Sequence, residues 1–295
     1  MSYKEKIFFG SATAIITPFK NGEIDYEAFE GLIEFQIKNK TDALVVLGTT
    51  GEAPTVSESE REEIVAFAKS KIKGRIPLIV GTGTNSTETT IRYSKNAHSL
   101  GANAILVVTP YYNKPTENGL VEHYKEIAKR VDLPIIIYNV PSRTGVKLTK
   151  RVLYELRNIS NLVGVKEASG SLDFFGEIAN ELGEYYSFYT GNDDLTYDSL
   201  LRGSSGVVSV VSNLMPREMH DLCALFKKGE IEKSKEIQNE LNPLIKEIFY
   251  ETNPIPIKQA LSFLGYCKNE LRLPLSPSTR AGEIYNLILN LKYKF

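Results

Sequence analysis

Short apolar runs, rich in β-branched residues, recur along the chain at 12–17, 43–47, 77–81, 104–109, 134–139, 162–166, 186–191 and 206–210. Their hydrophobicity is nearly continuous rather than alternating, the pattern of parallel strands covered on both faces by crossover helices. Between the runs apolar residues return at helical spacing, as at Phe29, Leu32, Ile33, Phe35 and Ile37, or at Ile64, Val65, Phe67 and Ala68. Helix starts are marked as well. Ser57 followed by Glu60 reads as a capping box, and Pro216 suits a first helical turn, where its missing N–H is no loss.

Eight strand–helix units before Gly229 fit the (β/α)8 TIM barrel, an α/β fold of about 250 residues. A doubly wound open sheet is the alternative. It is disfavoured by the unbroken rhythm and by the lack of a full dinucleotide-binding fingerprint: after Gly81-Thr82-Gly83 the third glycine position is Ser86. Beyond Gly229 no strand pattern remains. The chain is therefore expected to comprise a catalytic barrel over 1–229 and a helical C-terminal extension over 230–295, interrupted at Asn253-Pro254-Ile255-Pro256 and Leu273-Pro274.

Composition narrows the function classes. Apolar residues make up 42% and charged residues 24% of the 295, enough apolar material for a large core and against a disordered chain. A formal net charge of −1 supplies no field for gathering nucleic acid, so the basic clusters at 69–73 and 227–228 read as solvated helix faces. Cys223 and Cys267 are too few for a disulfide framework and suit a reducing compartment, each packing as a small apolar residue. Lys4, Glu5 and Lys6 precede a short run broken at Gly10, which matches neither a secretory signal core nor a membrane span. A cytoplasmic protein is expected. His98, His123 and His220 lack metal-ligand spacing, and no metal or organic cofactor is expected.

In a barrel of this kind the site lies at the strand C-termini. Gly48-Thr49-Thr50-Gly51-Glu52 follows the second strand, Pro110-Tyr111-Tyr112-Asn113 the fourth, and Tyr138-Asn139-Val140-Pro141-Ser142-Arg143-Thr144-Gly145 the end of the fifth; Lys166 ends the sixth and Gly191 the seventh. Hydroxyls, one amine and one guanidinium thus meet on one rim. A free lysine, with a pKa near 10.4, is neutral in only about one molecule in 2,500 at pH 7. Turned into a desolvated barrel mouth, Lys166 suits imine formation with a carbonyl substrate; left at the strand end, it would simply pair with Glu167. Imine chemistry needs proton transfers, and Tyr138 on the adjacent strand offers a phenol, with Thr49, Thr50 and Tyr112 able to extend a hydroxyl chain. Tyr112 also reads as an ordinary packed tyrosine. Arg143 reads either as a bidentate carboxylate ligand or as a surface charge, and the amides of Thr49 and Thr50 could hold a second carboxylate.

These segments, with Gly164-Val165-Lys166-Glu167, resemble the dihydrodipicolinate synthases, also called 4-hydroxy-tetrahydrodipicolinate synthases. The likeness runs collinearly to Asn253-Pro254-Ile255-Pro256-Ile257-Lys258. The Thr-Thr-Gly-Glu loop and the lysine are shared with N-acetylneuraminate lyases and keto-deoxy sugar acid aldolases; the Pro-Ser-Arg-Thr-Gly segment is narrower and points to the synthases. The resemblance implies a class I lyase of lysine and diaminopimelate biosynthesis. Lys166 would form an imine with pyruvate, Tyr138, Thr49 and Tyr112 would relay protons, and Thr50, Gly191 and Val208 would line the pyruvate pocket. Arg143 would hold L-aspartate 4-semialdehyde. It further implies that Tyr112 enters a neighbouring subunit's site in a homotetramer built as a dimer of dimers. Glu58, Arg61 and Thr89 stand where lysine-inhibited relatives often carry histidines and a glutamate, so weak or absent inhibition by lysine is expected. The readings left open are a sugar-acid aldolase and a non-catalytic barrel that senses a keto acid.

Overall fold

The computed structural model describes residues 6–291; Lys4, Glu5 and the last four residues of the expected extension lie outside the described residues. Eight strands close into one parallel barrel: β1 (Gly10–Ala14), β2 (Ala43–Val46), β3 (Leu78–Gly81), β4 (Ala104–Val108), β5 (Ile135–Asn139), β6 (Leu162–Glu167), β7 (Ser187–Thr190) and β8 (Gly206–Ser209). Each pairs with its sequence neighbours and β8 returns to β1, as Gly10 opposite Gly206 and Thr13 opposite Ser209 show. The eight helices that follow are α1 (Tyr26–Lys38), α2 (Glu58–Ile72), α3 (Thr87–Ser99), α4 (Glu117–Arg130), α5 (Lys150–Leu156), α6 (Leu172–Leu182), α7 (Thr196–Leu200) and α8 (Pro216–Lys227). Three more helices follow among the described residues: α9 (Ile231–Ile248), α10 (Ile255–Phe263) and α11 (Ala281–Leu291). The TIM barrel read from the hydrophobic runs is the fold observed.

Two apolar cores follow from the strand period. Outward-facing residues such as Leu44, Val80, Ile105, Ile137 and Val165 pack against the helices in one core. Inward-facing residues, including Ala12, Ala43, Ile79, Leu106, Ile136 and Tyr189, fill the barrel in a second. Phe8 plugs the bottom, its ring stacked on Tyr189 at 4.2 Å while the Tyr189 hydroxyl donates to the Phe8 carbonyl at 2.9 Å. Burial of a ring of that size contributes roughly 2–3 kcal/mol. Helix N-termini are satisfied by side chains: Asp25, Ser57, Ser86, Thr116, Thr149 and Ser171 each accept a backbone amide three residues on. The capping box at Ser57 and Glu60 forms, and Pro216 opens α8.

The first strand lies two residues earlier than its apolar run suggests. Gly10 to Thr13 pair with β8, whereas the amide of Ile16 has left the ladder and donates to Asn213 Oδ1 at 3.2 Å. A hairpin pairing Phe19–Lys20 with Glu23–Ile24 was not anticipated. Its signal was present: Asn21-Gly22 takes positive φ at both residues, the two-residue turn that Asn-Gly favours. Cys223 is buried and Cys267 half-buried, both against the apolar core.

Candidate active site

Strand register brings the central pair together. Tyr138 on β5 lies directly opposite Lys166 on β6, and Lys166 opposite Tyr189 on β7. All three side chains point into the barrel, since they share parity with Ile136 and Gly164. Lys166 is 6% exposed, and its Nζ lies 4.2 Å from the centroid of the Tyr138 ring. It does not pair with Glu167. That neighbour points to the other face, where its carboxylate accepts Asn139 Nδ2 at 2.7 Å and the amide of Ser169 at 2.6 Å. Burial lifts the Glu167 carboxyl above the usual carboxylate range, against the pull of those two donors.

Gly191 lies against the lysine. A Cβ built there would fall 2.7 Å from Lys166 Cε and 2.7 Å from Ala168 Cβ, so any side chain at 191 would displace the amine. Val208 is buried in the inner core beneath the site. The segment after it is held by Asp193, whose Oδ2 accepts the amides of Val210 and Val211 at 2.9 and 3.0 Å. Burial pushes the Asp193 carboxyl up, opposed by Ser209, those amides and the charge of Lys166.

The turn at 48–52 is compact. Gly51 N donates to Gly48 O and Glu52 N to Thr49 O, both at 3.1 Å, while Thr17 Oγ1 donates to Gly51 O at 2.7 Å. Glu52 has φ +53, a left-handed conformation uncommon outside glycine. Thr50 is buried, and its hydroxyl accepts Asn253 Nδ2 at 3.0 Å. Arg143 lies in the single helical turn Pro141–Thr144 after β5, and its Nη2 donates to the Asn253 carbonyl at 3.0 Å.

Above the strands opens a cavity of about 470 Å³. Thr49, Tyr138, Arg143 and Asn253 line it, as do Tyr111 and Arg61. Lys166, Thr50, Gly191 and Val208 lie outside that lining. Tyr112 is also outside it: its side chain is 89% exposed on this chain and its φ is +71. Arg61 is itself buried, donating to the carbonyls of Gly81 at 2.5 Å and Ala53 at 3.4 Å with its guanidinium 4.4 Å over the Tyr93 ring. Burial lowers its pKa from the usual guanidinium range. Glu58 faces outward and pairs with Arg92 at 2.8 Å.

The three histidines are separate. His98 is exposed, His123 Nδ1 meets the Thr87 hydroxyl at 2.9 Å, and His220 pairs with Asp42 at the opposite end of the barrel. Among the described residues no helix is long and apolar enough to cross a membrane.

Sequence reasoning assigned no role to Asp193, Asn253 or Lys258. Lys258 had a legible signal, since it stands inside the buried run 256–261 where an unpaired ammonium would be costly.

A family model for the Dihydrodipicolinate synthetase family matches residues 7–284. A 4-hydroxy-tetrahydrodipicolinate synthase of Thermotoga neapolitana is 51% identical over 277 residues, spanning 92% of this chain and 94% of that relative. The crystal structure of dihydrodipicolinate synthase from Thermotoga maritima superposes with a TM-score of 0.95 at 47% identity, covering 98% of this chain and 100% of the other. The chloride-inhibited dihydrodipicolinate synthase of Acinetobacter baumannii, solved with pyruvate, gives a TM-score of 0.93 at 40% identity, covering 96% and 98%.

Proposed function

The chain belongs to the dihydrodipicolinate synthetase family, and on that premise we propose that its 4-hydroxy-tetrahydrodipicolinate synthase activity runs through an imine on Lys166. One observation carries the assignment of the nucleophile: a nearly buried amine lies against the ring of Tyr138, beside a glycine that leaves it room, at the C-terminal rim of the barrel.

Lys166 Nζ attacks the keto carbon of pyruvate, water leaves, and loss of a methyl proton gives the enamine. The enamine carbon adds to the aldehyde of L-aspartate 4-semialdehyde. The substrate's own amine then attacks the imine carbon, closes the ring and releases Lys166. Tyr138 is the proton donor and acceptor at the nitrogen and carbon, with Thr49 next along the cavity wall. Thr50 and the adjoining amides take the pyruvate carboxylate; Gly191 and Val208 bound its pocket. No metal or organic cofactor enters this scheme, because the iminium itself is the electron sink.

Tyr112 completes the relay from a neighbouring subunit in this reading, which matches its exposure and its place outside its own chain's cavity. A homotetramer arranged as a dimer of dimers, in the cytoplasm, belongs to the same proposal. The competing sugar-acid aldolase and the keto-acid sensor lose ground to the identity with curated synthases across 92% of the chain.

The test uses Arg143, already held by the Asn253 carbonyl toward the cavity. Removing a charge-assisted carboxylate contact by Arg143→Ala is expected to raise KM for the semialdehyde about 10–100-fold. Borohydride trapping of pyruvate on Lys166 should stay close to the parent level. Equal loss of both functions, or turnover of sialic acid with none of the semialdehyde, would count against the reading.

Lysine inhibition is expected to be weak. Thr89 stands where the resemblance places the carboxylate that would hold the effector's amine, Glu58 is already paired with Arg92, and the Arg61 guanidinium is engaged by the Gly81 and Ala53 carbonyls. Initial rates in a lysine titration should not fall by half at submillimolar lysine; half-inhibition in that range would refute the expectation.

A further inference from the structure

The turn at 48–52 is tied to the distant end of the chain. Lys258 Nζ lies 2.5 Å from Glu52 Oε1, with side-chain exposures of 0% and 1%. The amide of Arg272 donates to Glu52 Oε2 at 3.0 Å, so both carboxylate oxygens find partners in the C-terminal segment. Arg272 is anchored in turn: its Nη1 donates to Glu60 Oε2 at 2.8 Å and to Thr55 O at 2.9 Å, and its Nη2 to Gly22 O at 2.7 Å. The Phe19 ring packs under both cations, 4.1 Å from Lys258 Nζ and 4.3 Å from Arg272 Cζ.

Asn253 adds a second tie. Its side-chain amide donates to the Thr50 hydroxyl, and its main-chain carbonyl accepts from Arg143. One residue thus touches a member of each proposed substrate pocket.

A buried ion pair is a poor choice for stability alone, because apolar residues of similar volume often serve as well or better. What the pair supplies here is direction. Glu52 adopts φ +53, a conformation that persists in a non-glycine residue only when its surroundings over-determine it. Two oriented bonds to the carboxylate do that, and hold the preceding amides of Thr49 and Thr50 in place.

We propose that Glu52, Lys258 and Asn253 are positioning residues, through which the C-terminal segment sets the 48–52 turn for the keto-acid carboxylate and Arg143 for the second substrate. The inference rests on the assignment of Lys166 and Thr50 given above. It makes the last helices part of the active site.

The experiment uses the full chain and two variants, Asn253→Ala and the double exchange Glu52→Gln with Lys258→Met. Pyruvate is titrated with borohydride trapping at Lys166, and Tm, kcat and both KM values are measured. Asn253→Ala removes the bond to Thr50 but keeps the main-chain carbonyl that receives Arg143, so Tm should stay within a few degrees and kcat within about threefold, half-saturating pyruvate should rise about tenfold, and the semialdehyde KM should change less than about threefold. The double variant removes both charges together, so its Tm should stay near that of the parent, yet its pyruvate affinity should still fall about tenfold. Parental affinity in a double variant of parental Tm would show that the pair only fills space. If Asn253→Ala leaves half-saturating pyruvate unchanged, the inference falls. A parent protein with no pyruvate-dependent adduct on Lys166 removes the substrate assignment and this inference with it. An adduct on the parent with unchanged variants overturns the inference alone.

Discussion

Protein carrying Lys166→Met is expected to fold, to melt at or above the parent temperature, and to form no borohydride-stable adduct with pyruvate. Methionine matches the length of the lysine stem and is apolar. At a position 6% exposed, against the Tyr138 ring, it replaces a buried polar amine without leaving a void. The chemical loss is near total. Without the amine there is no imine, no enamine and no electron sink, and turnover should drop by at least about 10⁴-fold, in the range seen when a covalent nucleophile is removed. Mass mapping of peptides after reduction, with and without pyruvate, checks both halves of the result. An adduct on a different lysine, in a variant that still turns over, would move the nucleophile elsewhere.

Tyr138→Phe is the second large effect. The ring against Lys166 Nζ remains, so the packing and the inward direction of the lysine are kept; only the phenolic hydroxyl is lost. Proton transfer by a positioned group contributes about 10²–10⁴-fold, and kcat should fall within that range while Tm is unchanged. The adduct should still be trapped on Lys166 in the variant, at a reduced rate, because forming the carbinolamine and losing water both need proton movement. The pattern of slow adduct formation with an intact endpoint separates a proton carrier from a residue that merely packs. Wild-type turnover in this variant would assign the relay to another group.

The barrel was legible because its signal is redundant. Eight apolar runs repeat one strand–helix unit, and burial on both faces leaves no polar alternation to confuse the period. Strand ends were less legible, since they depend on single long-range bonds such as that from Ile16 N to Asn213 Oδ1, across 197 positions. The rim residues could be placed on one face from their positions after successive strands. That Tyr138 stands exactly one strand from Lys166 in register is a different matter: the β5–β6 pairing shifts between Ile135 and Ile136, and no hydrophobic pattern records such a shift. Asn253 and Lys258 reach the 48–52 turn across 203 and 206 positions. Periodicity describes neighbours a few residues apart, so these ties appear only in three dimensions. The Asn21-Gly22 hairpin, by contrast, was written in two adjacent residues.

The tie between the 48–52 turn and Arg272 also bears on the order in which the molecule is made. Chains emerge from the ribosome from the N-terminus, and folding can begin before synthesis ends. All eight strands are available once Ser209 has emerged, but Glu52 then still lacks Lys258 and the Arg272 amide, which follow later. A nascent chain halted between these points holds all eight strand segments but lacks the partners of the Glu52 carboxylate. On the proposed role of Glu52, competence for substrate is completed only once the segment reaching Arg272 has been made.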